Sequence, residues 1–434
     1  MIFSIFRRAW RVRFVIASAG VGLFAAMLPA DAQTPQATEM PGDVFTIKKT
    51  WTIGGEGNWD YLTLDPVALR LYIAHGTTVQ IVDVNAGTLI GEVAGLRDAH
   101  QIALDPESQY AYVSDGPANE VKVFDRESME IVASIPTGKN PRALVFDPAS
   151  RLVFAVCPDT ATAESKIPRR TASGQTIRQS SDALVHSTVT IIDADTRTRL
   201  ADLLLPGKLG FAQTDGNGTV FMNITDRNQI AYFHVPGMES RLRQLAGTVA
   251  GGPAPDPSKP EKTASGDPAL LVDWSDAATE AQPLPKALHV FRLQDCQSPK
   301  GLAADSVNSR LFVACDNMRM QVLNATNGDV VATLPIGAGT DAIGYDSEHG
   351  LIYAANGGGV GSLTVIRRHL SDSYAVIQEL PTRARARTLA VNPTTGEVYL
   401  VTNINGLDRT HNGGIGGLRT AAVPGSFQVL VVGN

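Results

Sequence analysis

The chain has 434 residues, 44% of them hydrophobic and only 18% charged, with 40 Gly, 25 Pro and a formal net charge of −6. That balance excludes a highly charged disordered chain and a uniformly basic nucleic-acid binder. Many turn residues with few charges suit short strands better than long surface helices.

The chain opens with Arg7, Arg8, Arg11 and Arg13, then an apolar run from Phe14 to Leu28 and a small-residue stretch, Ala30-Asp31-Ala32. This is the pattern of a secretory signal peptide over residues 1–32, cleaved near Ala32. The run is short for a membrane span, so no membrane insertion is expected after cleavage. The Arg7-Arg8 pair also allows a twin-arginine reading. Either way the expected location is periplasmic or secreted, in a bacterium. Cleavage removes four Arg and one Asp, leaving 33 bases against 42 acids and a net charge of −9. An acidic body opposes non-specific nucleic-acid binding. Residues 33–42 read as a flexible leader and 43–434 as the folded domain.

From Trp59 onward one phrase recurs. Trp59 to Pro66, Leu71 to Ala74 and Val79 to Asp83 return as His100 to Pro106, Ala111 to Ser114 and Val121 to Asp125. The residue closing the first strand of each unit is Asp65, Asp105, Asp147, Asp215, Asp305, Asp346 and Asn392, at intervals of 40, 42, 68, 90, 41 and 46. Seven units of alternating short strands predict an all-β, seven-bladed β-propeller. The strand Phe45 to Ile53 has no unit of its own, and the last unit lacks a fourth strand after Phe427 to Val432. Pairing the two would close the ring. Insertions at 158–187, 240–286 and 403–425 break the period, and loops this long usually carry function or disorder. Strand direction puts the first and third on the same end of the ring, the top, and the second beneath.

The phrasing resembles the YVTN-repeat, YncE-like family of exported seven-bladed propellers. The residues that carry it are Gly57 to Leu62, Gly301-Leu302-Ala303 with Arg310-Leu311-Phe312, Pro335-Ile336-Gly337 with Asp341-Ala342, Leu363 to Ile366 and Ser426 to Gly433. The resemblance implies a binding or scaffold protein rather than an enzyme, with one branch associated with DNA. It carries no catalytic motif over to this chain.

Propeller ligands sit at the top mouth of the channel. Five residues before each strand-closing Asp or Asn lie Asp60, His100, Arg142, Gly210, Lys300, Asp341 and Arg387. Trp59, Asn140, Phe211 and Arg385 lie beside them. The ring reads either as a self-neutralising polar collar or as a recognition site for a small polar or anionic ligand, or for an envelope protein. Trp59 and Phe211 could stack on a ligand or pack between blades. His75, His100, His186 and His411 all map to the top, and with Asp60 a His/His/carboxylate set would suit zinc or copper. None of the four has short ligand spacing to another, so no metal or other cofactor is expected. There is no G-x-S-x-G, H-E-x-x-H or phosphate-cradling loop. The enzymatic alternative is a metal-dependent lactonase using Asp60, Asn140 and Asp341.

In an exported chain, Cys296 ending the fourth strand of blade four and Cys315 ending the second strand of blade five should pair, leaving Cys157 odd. Closing this segment is worth about 3 kcal/mol on the chain-entropy estimate. Arg142, Lys300, Arg385 and Arg387, with Lys166, Arg169, Arg170, Arg178, Arg409 and Arg419 in the top insertions, would attract anions. Both top insertions lack aromatics for base stacking, so at most weak, salt-sensitive single-stranded DNA binding is expected.

Overall fold

Alternating apolar residues in runs of about six, punctuated by Asp and Gly turns, fold each repeat into a four-stranded antiparallel sheet whose strands follow chain order. A computed structural model describes residues 44–160, 186–236, 271–273, 288–369, 372–407 and 420–434, all within one compact unit, Gly42–Asn434. Residues 1–43, where a signal peptide and a leader are expected, and most of the three insertions lie outside the described residues. Blade one is Trp59–Asp65, Arg70–His75, Thr78–Asp83 and Thr88–Val93, and the pattern repeats to give seven sheets. No helix occurs among the described residues. Second and third strands are sandwiched between neighbouring blades, so Leu71 to Ala74 are buried on both faces, whereas the outermost strand Thr88–Val93 is largely exposed.

The recurrent Asp has two tasks. One oxygen caps the following turn: Asp65 Oδ1 accepts from Val67 and Ala68 N–H at 3.0 and 2.9 Å, and Asp105 Oδ1 from Glu107 N–H at 3.0 Å. In blades one, two and five the other latches the blade ahead. Arg126 of blade two donates to Asp65 at 2.8 Å, Arg151 of blade three to Asp105 at 2.6 Å, and Arg368 of blade six to Asp305 at 3.0 Å. Asp147 is latched instead by the Thr214 hydroxyl at 2.7 Å. At Asn392 the turn cap is kept, from Thr394 N–H at 3.0 Å.

The ring closes as the orphan strand requires. Thr46–Thr52 pairs antiparallel with Gln428–Gly433, from Thr46 opposite Gly433 to Thr52 opposite Gln428. It forms the outer strand of a sheet whose other members, Leu389–Val391, Val398–Thr402 and Gln428–Gly433, come from the other end of the chain. Two features were not anticipated. Leu271–Asp273, inside the blade-four insertion, pairs in parallel with Thr198–Pro206, so blade three has five strands rather than four. In the blade-seven insertion, Asn405–Leu407 and Thr420–Ala422 form a small hairpin.

Cys296 and Cys315 form a disulfide, with a Cα–Cα distance of 5.2 Å. The fourth strand of blade four ends earlier than expected, at Arg292, so Cys296 lies in the loop that follows it. Cys157 is free and buried. Burial pushes its thiol up to about 12. Above about pH 8.5 the unfolded chain loses a proton that the folded chain keeps. This thiol therefore lowers stability by up to about 1.4 kcal/mol per pH unit between there and pH 12. Native protein should resist iodoacetamide at pH 8 and take up one label in guanidinium without reductant, as read by mass spectrometry. Labelling of Cys157 in the native state would contradict its burial.

Candidate functional site

Each innermost strand enters the top of the channel, and in blades one, two, four, five and six its pairing slips within the first few residues. Such a bulge turns consecutive residues towards one side, against the strict alternation of a regular strand. Asp60 with Tyr61, and Gly210 with Phe211, consequently all face the same space.

That space is a cavity of about 710 Å³. Six of the seven ring positions line it: Asp60, Arg142, Gly210, Lys300, Asp341 and Arg387. The seventh, His100, is only 5% exposed and stands behind Asp60, its Nδ1 2.9 Å from Asp60 Oδ2 and its Nε2 3.6 Å from Asp98 Oδ2. Arg387 Nε lies 2.9 Å from Asp341 Oδ2, an ion pair between blades seven and six. Burial pushes the Asp341 carboxyl up, against the pull of Arg387 and Lys300.

The charges are not distributed evenly. Arg142, Lys208 and Lys300, from blades three to five, form a cationic wall and make no ion pair among the described residues. Asp341 and Asp60 belong to blades six and one, with Arg387 of blade seven between them, and each has one oxygen already engaged. Asp226 shares the cationic side and accepts from Lys208 N–H at 2.7 Å. Beneath, Tyr61 of blade one meets Phe211 of blade four across the axis, ring centroids 5.0 Å apart. Burial, then Asp60 and Asp341, hold the Tyr61 phenol well above its ordinary range, so it stays neutral. Phe211 also borders a lower cavity of about 850 Å³, lined by Leu62, Leu104, Leu144 and Phe146. Phe211 thus borders both cavities, and Tyr61 the upper one.

The other candidates are placed differently. Trp59 is 4% exposed and packs between blades against Phe427, centroids 5.4 Å apart, with the Arg385 guanidinium 4.4 Å above it. Asn140 sits in the loop between blades two and three with φ +54°. Trp59, Asn140 and Arg385 do not line the cavity. Conversely, Tyr61, Lys208 and Asp226 do, and counting one residue per strand passed over them. The signal for Lys208 was the missing side chain at Gly210, which leaves that sector of the ring to a loop residue.

The His/His/carboxylate set does not converge. His75 Nδ1 lies 2.8 Å from Gln80 Oε1 and its ring packs on Phe427 at 4.0 Å. His186 opens the third strand of blade three, and His411 lies outside the described residues. Among the described residues no group of three or more His, Cys, Asp or Glu is placed to hold a metal ion. The lactonase set converges only in part: Asp60 and Asp341 line the cavity with one oxygen each engaged, whereas Asn140 is off it.

A family model described as a lactonase, 7-bladed beta-propeller, matches residues 50–192. No curated protein matches the chain. Solved structures similar to it include U3-55K, at 8% identity and TM-score 0.57, covering 87% of this chain and 97% of that one. The RRP9 WD40 repeats are 8% identical at TM-score 0.59, covering 88% and 96%. A chain of the Mitotic Checkpoint Complex is 11% identical at TM-score 0.55, covering 87% and 96%. At these identities the likeness is one of fold.

Proposed function

We propose that this is an exported binding propeller of the bacterial envelope, of the YVTN-repeat type, that captures a small anionic ligand at its top mouth. The observation that carries the reading is the unpaired wall of Arg142, Lys208 and Lys300 facing a cavity with an aromatic floor. A self-neutralising collar would pair its cations, as Arg387 is paired with Asp341. Three cations left without partners around one concavity, Arg142 and Lys208 exposed and Lys300 half-buried, attract negative charge. Hydrogen bonds to charged groups contribute about 1.5–3 kcal/mol each. Calorimetric titration with citrate should show binding that weakens about tenfold or more in Arg142→Ala and in Lys300→Ala. Citrate that fails to bind, or binds both variants unchanged, would sink the anionic reading.

The match of residues 50–192 to a lactonase model favours a second reading, hydrolysis of a lactone. Its key residue would be Asp60. Turnover of a neutral lactone such as dihydrocoumarin, stimulated by a divalent metal and lost in Asp60→Asn, would move the protein to that class. Single-stranded DNA fits less well: Trp59 is covered by Arg385, and Tyr61 and Phe211 lie at the floor of the cavity rather than along a groove. Any such binding should be weak and lost well before about 200 mM salt.

A further inference from the structure

The cationic wall accounts for half of the mouth. A ligand that were only an anion would have to lie with its other end against Asp60 and Asp341. Each of these carboxylates has one oxygen committed, Asp60 to His100 at 2.9 Å and Asp341 to Arg387 at 2.9 Å. The second oxygen of each has no partner among the described residues. Both line the cavity, and among the described residues neither forms an ion pair with Arg142, Lys208 or Lys300, although Lys300, one blade over, pulls on the Asp341 carboxyl. Carboxylates kept partly buried with spare acceptor capacity are matched by a donor that carries positive charge. Between the two walls the floor is aromatic, Tyr61 against Phe211. Aromatic faces accept both apolar groups and cations.

We propose that the ligand is a zwitterion of the amino-acid or short-peptide class. Its carboxylate would lie against Arg142, Lys208 and Lys300, its ammonium against Asp60 and Asp341, and its apolar body over Tyr61 and Phe211. This rests on the anionic reading and adds to it the second charge, its position and the apolar span between the two. The volume, about 710 Å³, leaves room for more than a single amino acid. Two oppositely charged walls also fix the direction in which such a ligand enters, and disfavour neutral ligands by leaving both walls unmatched.

Three probes separate the parts: the dipeptide Phe-Ala with free ends, N-acetyl-Phe-Ala, which lacks the ammonium, and Phe-Ala amide, which lacks the carboxylate. Calorimetry on the full protein should show the free dipeptide binding at least tenfold more tightly than either blocked form. In Asp341→Asn the free dipeptide should weaken about tenfold. N-acetyl-Phe-Ala should bind this variant as well as or better than it binds the wild type, because Arg387 is released. That retained binding also shows that the variant is folded. If N-acetyl-Phe-Ala binds the wild type as tightly as the free dipeptide, the zwitterion is wrong while the anion site stands. If citrate binds and none of the three peptides does, the ligand class is wrong. If neither citrate nor any peptide binds, the anionic mouth falls with it.

Discussion

Deleting residues 44–53 from the full chain should abolish the cooperative unfolding transition and drive the protein into aggregates. Among the described residues the strand Thr46–Thr52 is the only cover on the outer edge of Gln428–Gly433, and its removal exposes a row of unpaired backbone groups. It also reaches sideways. Phe45 is buried, packs edge-on against Tyr353 of blade six with centroids 5.8 Å apart, and exchanges two 2.8 Å hydrogen bonds with the Gln378 amide. Losing a buried Phe alone costs about 3–5 kcal/mol. The lost ladder adds to that, against a typical total stability of about 5–15 kcal/mol. Circular dichroism melting with size-exclusion chromatography checks it. A soluble monomer with an unchanged transition would show that the ring does not depend on this clasp.

Arg151→Ala should destabilise by about 3–5 kcal/mol, more than any single change at the mouth. Asp105 is fully buried at the foot of blade two, and Arg151 of blade three supplies its charge partner at 2.6 Å, with a second contact at 3.3 Å. Arg151 also holds Asp195 at 2.6 Å. Removing the guanidinium leaves a buried carboxylate with only its turn-capping N–H contact, and uncompensated buried charge is costly in that range. Replacing both partners, as Asp105→Asn with Arg151→Met, should recover much of the loss, because Asn can still cap the turn, as Asn392 does. Urea unfolding of the two variants decides it. Equal destabilisation in both would mean that the loss comes from the other contacts of Arg151, with Asp195 and Glu107, and not from a stranded Asp105 carboxylate.

The blades, their closure and the disulfide were legible because each rests on a local rule: alternation of apolar residues, an Asp that caps a turn, an unpaired strand, two cysteines on one face. The latches were not. Arg126 and Arg368 share one place, the end of the third strand, 61 and 63 residues beyond the Asp they latch. Arg151 comes instead from a first-to-second-strand turn 46 residues beyond Asp105, and other blades carry no such Arg, so no single spacing announces the latch. The mouth was legible by position for six of seven blades but not by depth. His100 recedes behind Asp60, while the bulges bring Tyr61 and Phe211 forward, and a bulge leaves no mark in the alternation until pairing is known. Trp59 went under cover because Arg385 lies across its face. Leu271–Asp273 could not be foreseen, since it pairs in parallel with a strand of another repeat and sits in a Gly/Pro/Ala-rich insertion.

Tyr61 and Phe211 belong to blades one and four, which share no sheet and are not neighbours in the ring. Their contact therefore ties together two sectors that the strand ladders leave separate. A change at either ring, whether a ligand resting on it or a substitution, reaches the other blade directly, without passing through the blades between them.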